Sequence, residues 1–223
     1  MLVLTGVSRS YGALQALRPV DLTVLPGQCV ALLGVNGSGK STLLRIAAGR
    51  DTPSGGQVSY CGTPLREDAL VARAEIAVAG DVAATYPDLT VREHLMLVAV
   101  AHGGGSKAPA VVDSALAECR LSDHGNALPG SLSSGQRQAL QLAAVLVRPR
   151  RVLILDEPEQ RLDPGARNWL AGLLAKEKAA GAAILLATHH FELAQAVADE
   201  AVVLLDGAVI SRGTPEQALA GNQ

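Results

Sequence analysis

The chain has 223 residues, a net charge of −2 and 48% hydrophobic residues, enough to bury a full core in one elaborated domain. Near-neutral charge with only 2% aromatic residues leaves neither the basic footprint nor the stacking surface that a nucleic-acid partner requires. Three cysteines without metal-ligand spacing (Cys29, Cys61, Cys119) read as reduced thiols of a cytosolic protein, and the apolar runs 95–101 and 139–147 are too short to cross a bilayer.

In chain order, the alternation Val20-Asp21-Leu22-Thr23-Val24 predicts a half-exposed strand of an antiparallel element. Pro26-Gly27 then turns into a buried strand at 29–33. The octapeptide Gly34-Val35-Asn36-Gly37-Ser38-Gly39-Lys40-Ser41 follows, and the helical pattern begins at Thr42. A glycine loop between strand and helix aims backbone N–H groups at a polyphosphate, and the helix adds the positive end of its dipole. Lys40 is placed to bridge terminal phosphates and Ser41 to offer its hydroxyl to magnesium. Beyond the loop at 53–56, strands are expected at 57–61 and 76–79. Thr90 and Glu93 stand at capping-box spacing before a helix, Gly103-Gly104-Gly105-Ser106-Lys107 reads as a mobile surface loop, and 111–119 and 136–147 read as helices. Ser133 and Gln136 repeat the capping-box spacing, and the N–H groups there make a second candidate phosphate site.

The second half alternates strand and helix, which predicts a parallel sheet covered on both faces. The strand 152–155 ends in Asp156-Glu157 and the strand 183–187 in Thr188-His189, so polar groups stand at carboxyl ends, where open α/β sheets place ligands. One carboxylate suits hydrated magnesium, and its neighbour suits poising a water against a γ-phosphate. Asp206-Gly207 between two apolar runs is a hairpin signal, and Thr214-Pro215 caps a last short helix. Trp169 is expected to pack a helix against the sheet, and His94, His102 and His124 receive no role. His189 and His190 are read as pointing apart without a third ligand, so phosphate sensing by His189 is preferred to metal binding.

With its glycine loop, L-S-S-G-Q and L-I-L-D-E-P in this order, the chain resembles the ATP-binding subunits of ABC transporters over nearly its whole length. The resemblance implies a P-loop NTPase α/β fold: a RecA-like core, an N-terminal antiparallel β portion and a helical subdomain spanning roughly 88–136, within one ABC ATPase domain over 1–223. It implies ATP and Mg2+ as ligands. Gly34, Val35, Asn36, Gly37, Ser38, Gly39, Lys40, Ser41 and Thr42 would form the Walker A site, Asp156 would be the magnesium carboxylate and Glu157 the catalytic base. His189 matches the switch histidine, Tyr11 the aromatic residue that stacks on adenine, and Asp163 the D-loop carboxylate. Ser133, Gly135 and Gln136 match the signature that closes over ATP held by a second subunit. The implied partners are that second ATP-binding subunit and a membrane-spanning subunit, with the chain on the inner face of the cell membrane. Export is favoured by the segment Tyr86-Pro87-Asp88-Leu89-Thr90 and by the chain ending soon after 214–220, read as lacking a C-terminal regulatory domain. Two departures stand out: Asp81 occupies the usual Q-loop glutamine position, as a possible further magnesium ligand, and Gln160-Arg161 replaces small residues before Leu162-Asp163. They motivate an alternative, a slow-turnover nucleotide-binding module that gates a partner. A soluble ABC ATPase of DNA repair or translation is disfavoured, since no coiled coil, zinc insert or second cassette fits the length.

Overall fold

A computed structural model describes residues 1–65, 74–80 and 85–220. Strands β1 (Leu2–Tyr11), β2 (Leu14–Val24), β4 (Gly55–Tyr60) and β5 (Thr63–Pro64) form an antiparallel sheet in the order β2-β1-β4-β5. A second sheet has the order β10-β9-β3-β8-β7-β6, from β3 (Cys29–Leu33), β6 (Ile76–Ala79), β7 (Val152–Asp156), β8 (Ala183–Ala187), β9 (Glu200–Leu205) and β10 (Ala208–Gly213). All of its neighbours run parallel except β10, which returns antiparallel from β9.

Seven α-helices lie among the described residues: α1 (Lys40–Ala47), α2 (Val91–Ala101), α3 (Ala108–Glu118), α4 (Ser134–Leu146), α5 (Pro164–Ala179), α6 (Phe191–Val197) and α7 (Pro215–Ala220). Side chains alternate faces along a strand, and here the alternation divides the core. Val152, Ile154, Ala183 and Leu185 point into a cluster shared with α1 and the antiparallel sheet, which supplies Leu2, Leu4 and Leu22. Leu153, Leu155, Ile184 and Leu186 point the other way, into a cluster with Leu95, Leu116, Leu140 and Leu170 of the helices. The parallel strands are therefore apolar on both faces, as their continuous hydrophobic runs foretold. Burial pushes the thiols of Cys29 and Cys119 up to about 12, so both stay protonated at neutral pH.

Several local outcomes refine the sequence expectations. Thr90 caps α2 in a capping box with Glu93, as its spacing foretold. Gly103–Lys107 is not an open loop: Gly104 donates to Ala99 O at 2.8 Å and Gly105–Lys107 closes a 3-10 turn into α3. Trp169 is not packed solely toward the sheet; its indole N–H donates to Glu118 O at 2.8 Å and ties α5 to the end of α3. β4 starts at Gly55, inside the segment expected to be loop, because Gly56 (φ 76°) lies against β1 where that strand bulges between Thr5 and Ser8. A Cβ on Gly56 would stand 2.3 Å from the Gly6 carbonyl and 2.4 Å from Thr5 O. Gly56→Ala should therefore destabilise the fold by about 2 kcal/mol or more, combining left-handed backbone cost with a backbone clash. Urea unfolding with an unchanged m-value and an unchanged midpoint would contradict this.

Candidate functional site

β8 lies between β3 and β7, and the three strands end level, with Leu32 and Asp156 both in register with Ala187. Two hydrogen bonds lock the loops that leave them: Thr188 N–H to Leu32 O at 3.1 Å and Glu157 N–H to Ala187 O at 2.9 Å. A cleft of about 390 Å3 opens at these ends, lined by Asn36, Gly37, Gly39, Lys40, Ser41, Thr42, Gly80, Asp156, Glu157 and Gln160. α1 begins at Lys40, so the N–H groups of Lys40, Ser41 and Thr42 have no carbonyl one turn back within the helix and face an incoming anion.

The loop's shape depends on glycines where contacts are closest. A Cβ on Gly34 (φ 148°) would meet Leu204 O at 2.3 Å and Ser38 Oγ at 2.7 Å, and one on Gly39 (φ 103°) would meet Ala16 O at 2.9 Å. The β9–β10 turn braces the loop from beneath. Asp206 (φ 47°) and Gly207 (φ 74°) both take left-handed backbone, as a tight hairpin turn requires. Gly207 N–H then donates to Ser38 O at 3.1 Å, and its carbonyl accepts from Arg18 N–H of β2 at 2.7 Å. Ser38 is 2% exposed and its Oγ has no partner among the described residues, a buried polar atom facing the loop interior.

Lys40, 4% exposed, donates from Nζ to Gly34 O at 2.7 Å and Val35 O at 3.1 Å, and stands 3.8 Å from Glu157 Oε1. Glu157 has positive φ (47°), a strained conformation for a residue bearing a Cβ, held here by its bond to Ala187. Its other oxygen accepts from the Gln160 amide and lies 3.4 Å from His189 Nδ1. Lys40 and the adjacent pair Asp156-Glu157, more than a hundred residues apart in sequence, thus meet at one cleft, with His189 beside Glu157. Ser41 and Asp156 are hard oxygen donors on that cleft, the ligand type magnesium favours. Gly80 (φ 126°) packs on Asp156, where a Cβ would lie 2.5 Å from Asp156 Cβ. Asp81, which follows it, lies outside the described residues.

Other expected site residues are held elsewhere. Ser133 is the N-cap of α4 in a capping box with Gln136, as the spacing foretold. Ser133, Gly135 and Gln136 line a second hollow with Arg120, Arg161 and Asp163, none of which lines the first cleft. Asp163 caps α5 through Ala166 N–H at 2.7 Å. Tyr11 ends β1, 43% exposed and outside the lining of the cleft; its hydroxyl bonds Asp51 and the Arg9 guanidinium lies 4.6 Å from its ring centre.

Sequence reasoning missed three supporting residues. His124 Nε2 lies 2.8 Å from Gln136 Nε2 and steadies the capping box from a 3-10 turn. Gln138 Nε2 donates to Pro158 O at 3.0 Å, joining α4 to the segment after β7. Glu159 is 1% exposed and accepts from the Thr188 hydroxyl, while burial pushes its carboxyl above the usual carboxylate range. The expectation that His189 and His190 point apart without a third ligand is also overturned. Their ring centres are 4.3 Å apart, and with Glu159 they bring one ligand atom each within 4.8 Å of one another. The strand end turns directly into the cap of α6 at His190, which brings neighbouring side chains to one side.

Residues 17–160 match the family model described as ABC transporter. The chain is 37% identical over 215 residues to the Nod factor export ATP-binding protein I of Paraburkholderia xenovorans, covering 96% of this chain and 71% of that protein. It is 35% identical over 212 residues to the protein of the same description from Rhizobium etli, covering 95% and 67%. A solved ATP-binding subunit of an ABC transporter superposes with TM-score 0.87 at 33% identity, over 96% of this chain and 90% of that one. A dimeric bacterial ABC transporter cassette shares the fold, with TM-score 0.88 at 24% identity over 96% and 99%.

Proposed function

This chain belongs to the ABC transporter family, and on that premise we propose that it is the ATP-binding subunit of an exporter, hydrolysing ATP to drive a separately encoded membrane-spanning subunit. The observation that carries this reading is the convergence of Lys40, Asp156 and Glu157 on one cleft, with His189 beside Glu157. In it, the loop N–H groups and Lys40 hold the phosphates, Ser41 and Asp156 hold Mg2+, and Glu157 takes the proton of the attacking water. His189 contacts the γ-phosphate and Tyr11 offers the ring face opposite Arg9 to adenine. When bound, Mg2+ offsets negative charge on the phosphates.

The signature surface of Ser133, Gly135, Gln136 and Asp163 lies in a separate hollow, which supports a head-to-tail pair in which it closes over ATP on the partner. The helical subdomain of roughly 88–136 would carry Ser133, Gly135 and Gln136 of that surface. Among the described residues no helix is long and apolar enough to cross a membrane, and the reading gives the spanning segments to the partner and sets this chain at the inner face of the cell membrane. The relatives named for export favour that direction; cargo would be chosen by the membrane subunit.

Turnover per chain measured against protein concentration tests the pairing. A rise toward a plateau is expected, whereas turnover per chain independent of concentration would refute a shared site. Ser133→Ala should cost about 1 kcal/mol of stability through the lost cap yet lower turnover at least about tenfold while single-chain ATP affinity holds, because the hydroxyl is spent on the partner's nucleotide. A turnover loss no larger than the stability loss explains would confine Ser133 to capping. The second reading, a gating module with slow turnover, is favoured by the Gln160 amide bound to Glu157. ATP-driven pairing with negligible turnover would select it.

A further inference from the structure

We propose that Glu159, His189 and His190 form a binding site for a transition-metal dication of the zinc type, and that its occupancy withdraws His189 from nucleotide. Two observations carry this independently. The three side chains bring a ligand atom each within 4.8 Å of one another. Glu159 is 1% exposed, and while its Oε1 accepts from the Thr188 hydroxyl, its Oε2 is buried with no hydrogen-bond partner among the described residues. An acceptor left unsatisfied in the interior is costly, and glutamate is almost never buried this deeply unless paired. A cation between Oε2 and the two imidazoles removes that cost.

The donor set selects the metal. Two imidazole nitrogens and one carboxylate oxygen suit zinc, copper or nickel, whereas magnesium prefers an all-oxygen shell. Three protein ligands leave a fourth position for water. The surroundings supply the outer shell: Glu157 Oε2 lies 3.4 Å from His189 Nδ1, the carboxylate–histidine arrangement that leaves Nε2 free to ligate. Thr188, whose Oγ1 accepts from His190 N–H at 2.9 Å, fixes the backbone between the histidines. Arg167 works against the metal. Its Nη1 lies 3.0 Å from His190 Nδ1, so it donates there, and the ring must shed that contact to ligate. Arg167 thereby sets the affinity as a competing cation.

The test uses the full chain carrying Cys61→Ser, which removes the exposed thiol as a rival zinc ligand. Zinc is titrated in competition with a chromogenic chelator, without nucleotide. One equivalent is expected to bind. Glu159→Gln, which keeps an oxygen for the Thr188 hydroxyl, and His190→Asn should each weaken binding at least about tenfold, and Arg167→Gln should tighten it. Zinc should raise the melting temperature of the parent and not of the first two variants, and a cooperative transition of each variant without zinc reports that it is folded. Absence of the equivalent in the parent, or its retention in both Glu159→Gln and His190→Asn, overturns the site. The inhibitory consequence rests on the ATPase reading, so turnover is measured separately. Zinc should inhibit the parent and spare Glu159→Gln. A metal site that binds as described but leaves turnover untouched would uphold the site and overturn the role given to His189.

Discussion

Lys40→Ala is expected to lower ATP affinity about 10²-fold or more, since each hydrogen bond to a charged group contributes about 1.5–3 kcal/mol and, on the proposed reading, the ammonium would bridge two phosphates. Without nucleotide the fold should be unharmed. The ammonium is buried against two loop carbonyls and lies 3.8 Å from Glu157. Its removal takes a desolvated charge out of the interior, and the Glu157 carboxylate it leaves behind lines a cleft open to water. ATP at 100 times its dissociation constant should stabilise the parent by about 2.7 kcal/mol. Thermal melting with and without ATP reads both effects. A variant that melts as the parent does and retains the ATP-induced shift would show that the glycine loop is not the nucleotide site.

Glu157→Gln is expected to cut turnover by about 10²–10⁴ while leaving ATP binding intact. The amide keeps the shape of the carboxylate and its approach to Lys40 but cannot accept a proton from water. The strained backbone at Glu157 fixes that side chain in the cleft, so a substitute of the same size stays in place. Trapped before hydrolysis, the variant should accumulate with ATP as a species of twice the 22.9 kDa chain mass by light scattering. Parental turnover would move the proton acceptor elsewhere. A variant that is inactive but remains a single chain in ATP would separate the chemistry from the pairing.

Much of this architecture was legible in the sequence, for physical reasons that particular segments display. The short, fully apolar runs at 29–33, 152–155 and 183–187 read as strands covered on both faces, and the polar groups beyond them marked the ligand-bearing end of the sheet. Both capping boxes were readable from spacing, because a cap is a contact between residues three apart. What escaped reading depends on contacts across long separations. Glu159 to Thr188, Gln138 to Pro158 and Trp169 to Glu118 join segments 20 to 51 residues apart, and no local pattern encodes them. His189 and His190 were misjudged because adjacent side chains diverge in a regular strand. Here the strand ends at Ala187, and the turn into α6 brings the two rings together.

The turn at Asp206-Gly207 looks like ordinary surface, the kind of hairpin tip where an inserted epitope or fluorophore does least harm. In this fold it is the floor under the glycine loop: Gly207 receives Arg18 of β2 and supports Ser38, and a Cβ there would lie 2.8 Å from Ala16 O. The last strands of the chain thus hold the shape of a loop formed near its start. During synthesis that loop waits for some 170 residues before its support emerges, so a nascent or prematurely terminated chain lacking 200–213 would carry every loop residue yet grip nucleotide poorly. An affinity resin bearing immobilised ATP would therefore retain chains that include 200–213 over chains that stop before it, and its yield would report folding of that hairpin.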